Sequence, residues 1–120
     1  YRNSARNLIQ QMKQTNKFLL VLNARSFRPQ MPVSEQHSLS QTARYYNPCF
    51  SLSGLHIVYD QHNNILKTEA DKENMPTLDL MRKLPGGAQY FGDATHFTDK
   101  GTDIAAKIIF HEIKHWITNT

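Results

Sequence analysis

Phe18-Leu19-Leu20-Val21-Leu22 narrows the possible folds more than any other stretch of this chain. Consecutive apolar residues leave a strand with no polar face, so such a strand must be covered on both sides. Just before it, Ala5, Leu8, Ile9 and Met12 recur at i, i+3, i+4 and i+7, which predicts an amphipathic helix over Asn3–Lys17. A helix leading directly into a doubly covered strand predicts a parallel strand in a layered α/β domain.

The remaining segments are read in that frame. Asn23 to Ser34 contains Pro29 and Pro32 and reads as a loop. A helix is predicted from about Ser34 to Tyr46, ended by Asn47-Pro48. Leu55 to Tyr59 reads as a strand, Asp60 to Asn64 as a turn, and Ile65 to Thr68 as the returning arm of a hairpin. Ala70 to Asn74 is polar and expected to be exposed. Thr77 to Leu80 reads as a short strand or the start of a short helix reaching Leu84. Pro85-Gly86-Gly87 breaks the chain. A last helix, capped by Thr98 or Thr102, is expected to run to about Ile117.

Composition removes several function classes. Apolar residues make up 39% of the 120, in the range of a folded soluble domain. No apolar run approaches the roughly 20 residues that span a bilayer. The net charge of +4 is spread along the chain rather than clustered among aromatics, which argues against specific nucleic-acid binding. Cys49 is the single cysteine, so an intrachain disulfide is excluded and the compartment is left open. No targeting segment is legible. The opening at Tyr1, without a Met, leads to the expectation that further residues precede it.

The chemistry concentrates in Gly92-Asp93-Ala94-Thr95-His96-Phe97-Thr98. A base that takes the proton of a hydroxyl is best made from an imidazole whose Nδ1–H is held by a carboxylate. Two intervening residues let Asp93 and His96 meet within one tight turn. Gly92 before the pair and Gly101 after it allow a sharp entry and close helix packing.

This block, continued by Asp99-Lys100-Gly101 and by Ile104-Ala105-Ala106-Lys107-Ile108-Ile109, resembles the last conserved block of the SGNH/GDSL hydrolases. The resemblance implies the C-terminal part of a three-layer α/β/α sandwich with a parallel sheet, the flavodoxin-like arrangement of that family. Residues 1–120 would form the C-terminal part of a single domain whose nucleophile-bearing N-terminal part is absent from this chain. It implies a serine esterase or acyl hydrolase with Asp93 as orienting carboxylate and His96 as general base. An O-acyltransferase or a non-catalytic domain on the same scaffold are the alternatives. The substrate would be an ester-containing small molecule or an acylated carbohydrate, and no cofactor is expected. No serine here follows a Gly-Asp pair, so the nucleophile and the oxyanion donors would come from the missing part.

A rival pattern lies at His111-Glu112-Ile113-Lys114-His115, which matches His-Glu-x-x-His. On a helix its histidines share a face and could ligate Zn²⁺, with Glu112 as base of a peptidase. A third protein ligand is lacking downstream, Lys114 sits inside the pattern, and the pair lies off the apolar face of its helix. Tyr90 and Phe91 are candidate pocket walls. Arg25 and Arg28 follow the first strand, where α/β folds place ligand loops, and are candidates for an anionic substrate group. His56, His62 and Cys49 read as structural or solvated.

Overall fold

One long helix replaces the hairpin expected over residues 55–68. A computed structural model of the chain describes residues 1–15 and 18–118. Helix α4 (Leu52–Lys72) begins at Ser51, whose Oγ accepts the Gly54 N–H at 3.1 Å. That bond satisfies one of the open amides of the first turn. Leu52, Leu55, Tyr59, Leu66 and Ala70 repeat at helical spacing, and no Gly or Pro interrupts residues 55–75. The polar run Asp60–Asn64 therefore lies inside a continuous helix rather than making a turn. Ala70, expected to be exposed, is fully buried, as is Glu69 beside it.

The other elements follow in chain order. They are α1 (Arg2–Thr15), β1 (Leu20–Leu22), α2 (Val33–Leu39), α3 (Gln41–Tyr46), α4, β2 (Thr77–Asp79), α5 (Leu80–Lys83) and α6 (Asp99–Thr118). The last positions expected for the first helix, 16 and 17, lie outside the described residues. The helix expected over 34–46 divides at Ser40 and ends at Asn47. Residues 77–84 form both readings in turn, a strand and then a helical turn capped by Asp79. Thr98 caps α6 by accepting the Gly101 N–H.

β1 and β2 pair in parallel, Leu20 opposite Thr77 and Leu22 opposite Asp79. They form the sheet of the described residues, and three residues per strand make it small. The three-layer α/β/α sandwich expected from the sequence is therefore not what forms. The fold is mostly helical around a two-stranded parallel sheet, because the segment read as further strands is α4. No helix among the described residues is long and apolar enough to cross a membrane.

Three clusters make the core. Ala24, Leu80, Leu84, Phe91 and Ala105 pack where the sheet meets α6. Phe27, Leu39, Ala43, Leu55 and Ala94 pack under α3 and α4. Ile9, Ala70 and Met75 join α1 to α4. Each of the fully buried Phe27 and Phe91 contributes roughly 1.5–3 kcal/mol from apolar burial. These two clusters hold the loop between α5 and α6, at Phe91 and at Ala94.

Candidate active site

The segment after β1 and the loop before α6 are joined through the main chain. The Ser26 N–H donates to the Ala94 carbonyl at 2.9 Å, and the Gly87 N–H donates to the Ser26 carbonyl at 2.8 Å. The Ala94 N–H donates to Thr42 Oγ1 of α3 at 3.2 Å. Within the loop, Phe91 and Phe97 form an antiparallel bridge, and the Gly92 N–H donates to the His96 carbonyl at 2.8 Å. At Gly101 a Cβ would overlap the Tyr90 carbonyl, so this crossing tolerates no side chain. Ala94 points into the core while Asp93, Thr95 and His96 face out.

Asp93 makes the bend rigid. Its Oδ1 accepts the Thr95 N–H at 2.9 Å and the His96 N–H at 2.8 Å, and its Oδ2 lies 2.7 Å from His96 Nδ1. The two amide bonds, with the ring bond after them, hold the Asp93 carboxyl at about 2, below its ordinary 3.8. An ionised carboxylate only accepts hydrogen bonds, so His96 Nδ1 is the donor of that contact. In neutral His96 the Nε2 lone pair is then free. The His96 side chain is 84% exposed, so this edge opens to solvent.

Beside the dyad runs a groove of about 260 Å³. Its opposite wall is Thr42 and Tyr46 of α3, Asn47 after it, and Tyr59 of α4. Among the described residues no Lys or Arg lines it. The chemistry available is proton abstraction by an oriented imidazole at the edge of a partly apolar groove whose one charged lining group is Asp93 among the described residues. No family model, no curated protein and no solved structure matches the chain.

The other candidates from the sequence fall elsewhere. Arg25 is 1% exposed, and its guanidinium donates to Asp60 Oδ1 at 2.9 Å and to His56 Nδ1 at 3.1 Å. Its side chain is enclosed and turned to Asp60 and His56, so it is not open to a substrate anion. Arg28 is half-buried on Met81 Sδ and the Leu84 carbonyl. Burial, then the charge of Arg25, brings it down to about 10. Phe91 is in the core, and Tyr90 packs under Lys100 at the start of α6, so neither walls the groove. His111 and His115 are exposed on α6, and Glu112 is paired with Lys83 at 3.0 Å. Among the described residues no three His, Cys, Asp or Glu side chains converge as a metal site would require.

His56 and His62 are structural. Arg25 donates to His56 Nδ1, so the proton of that ring is on Nε2, 2.7 Å from Gln36 Oε1. Burial and Arg25 both lower its proton affinity. His62 sits between Tyr1 Oη at 2.6 Å and Asn23 Nδ2 at 2.9 Å. Cys49 is exposed. The sequence reading missed the groove wall, Thr42, Asn47 and Tyr59. The helical repeat through Leu52, Leu55 and Tyr59 was the signal that puts Tyr59 on an inward face.

Proposed function

We propose that this chain supplies the acid–base pair of a serine acyl hydrolase, as the resemblance of its Asp93–His96 block to the SGNH/GDSL hydrolases implies. The observation that carries the reading is the 2.7 Å contact between Asp93 Oδ2 and His96 Nδ1, with the rest of the ring open to solvent. His96 Nε2 takes the proton of an incoming serine hydroxyl as that oxygen bonds to the ester carbonyl carbon. Asp93 stabilises the imidazolium so formed. The same proton then passes to the departing alkoxide, and a second cycle with water frees the acid. Among the described residues no serine lines the groove, so the reading requires a nucleophile brought to it from elsewhere.

The test is hydrolysis of 4-nitrophenyl butyrate by the product of the intact reading frame, with labelling by a serine-reactive fluorophosphonate. His96→Ala should lose turnover and labelling while keeping its melting temperature. A folded His96→Ala protein that turns over at the parent rate rejects the reading.

A further inference from the structure

Tyr59 is the best-braced side chain of the groove wall. Its ring meets Phe27 edge-on, centroids 5.8 Å apart at 88°, and the Arg25 guanidinium carbon lies 5.5 Å from the ring centre. Arg25 is itself fixed by Asp60 and His56, and His56 by Gln36. The Gln36 amide is turned by the Pro29 and Met31 carbonyls, to which it donates at 3.3 and 2.7 Å. The loop after β1, helix α2 and helix α4 thus brace one phenol ring. That is more restraint than a packing residue of a half-open groove needs, and it leaves the ring little freedom to lose on binding.

The hydroxyl of this ring has no hydrogen-bond partner among the described residues. It is not one of the enclosed unpartnered polar atoms, so it is open at the groove and can donate to a ligand there. Burial first, and the Asp93 charge after it, raise the phenol above its ordinary value, against the pull of Arg25. It therefore stays protonated at neutral pH and can only gain by donating. Tyr59 and Asp93 line the same groove, which places the phenol ring beside the dyad.

We propose that the Tyr59 hydroxyl is a substrate-contacting donor, giving its hydrogen bond to the carbonyl oxygen of a neutral acyl ligand lying in the groove beside His96. The catalytic meaning of this contact rests on the reading of Asp93–His96 as a base pair; the binding contact does not. A carbonyl oxygen gains negative charge as the hydroxyl adds to its carbon, so a donor aimed there binds the transition state more tightly than the ester. With no Lys or Arg on the groove and Asp93 ionised at its edge, a neutral acyl group fits and an anionic one does not.

Butyramide, a neutral carbonyl compound that the dyad does not consume, tests the contact on this chain. It is titrated into ¹⁵N-labelled parent, Tyr59→Phe and His111→Ala proteins. The phenylalanine keeps the ring and its bracing, and an unchanged melting temperature verifies that. The expected result is saturable shifts at Thr42, Asn47 and Thr95, with a Kd about fivefold weaker in Tyr59→Phe, the size of one neutral hydrogen bond. His111→Ala, changed at an exposed position of α6, should bind butyramide as the parent does. Equal affinity of parent and Tyr59→Phe overturns the proposal. Tighter binding of butyrate than of butyramide overturns the neutral ligand class. Loss of the base-pair reading would show instead as turnover that survives His96→Ala, with the butyramide result untouched.

Discussion

The loop at Asp93–His96 and the helix at His111–His115 each set carboxylates and imidazoles three or four residues apart, yet only the loop joins them. On the loop, one aspartate takes two amides of its own turn, and those bonds aim its second oxygen at the ring three positions on. The helix spends its amides on its own ladder, so Glu112 has nothing local to hold it and pairs with Lys83. The histidines there stay on the solvated face. Spacing alone does not join a carboxylate to an imidazole; the backbone must leave donors free for the carboxylate.

Substitutions can break or sharpen that contrast. His96→Ala removes the base and should lower ester turnover about 1,000-fold, within the range for a general base. Asp93→Asn keeps the size of the side chain but makes it a poorer acceptor and misorients the ring; about 100-fold is expected, the lower end of what an oriented base contributes, with a lower melting temperature. Both are read from kcat for 4-nitrophenyl butyrate. Gly101→Ala drives a methyl group into the Tyr90 carbonyl and should cost roughly 1–3 kcal/mol in denaturant unfolding, with turnover falling as the loop shifts. The double variant His111→Ala/His115→Ala should stay within about twofold of the parent in turnover, since solvated side chains away from a site change little.

Acid separates the two regions as well. Asp93 and Glu69 are each held at about 2, from ordinary values of 3.8 and 4.5. Glu69 is lowered first by its hydrogen bonds from Arg6 and Lys72. Their folded proton affinities are depressed, so the stability they contribute is complete above those ordinary values and is lost as pH falls toward 2. The melting temperature should drop through that window in the parent. It should drop less steeply in Asp93→Asn and unchanged in His111→Ala/His115→Ala.

The sequence made the loop legible because its determinants are local. Asp93, the two amides it accepts and His96 lie within four residues, flanked by glycines. The groove wall depends on distant partners and was not legible. Tyr59 faces His96 only because residues 52–72 form one helix, and the β-branched and aromatic cluster Ile57-Val58-Tyr59 with the polar run after it reads as a strand and turn at short range. Arg25 stands near the strand end where ligand loops occur, but Asp60 and His56, which turn its guanidinium inward, lie 35 and 31 residues away. The same long helix explains the smaller sheet: two strands remain where a layered sandwich was expected.

The most direct measurement concerns the one proton on which the mechanism turns. A long-range ¹H–¹⁵N spectrum of the imidazole rings at neutral pH reports which nitrogen of each histidine is protonated. The account expects neutral His96 to be protonated at Nδ1, with a bare Nε2, and that preference to vanish in Asp93→Asn. His96 protonated at Nε2, or unaffected by Asp93→Asn, would contradict it.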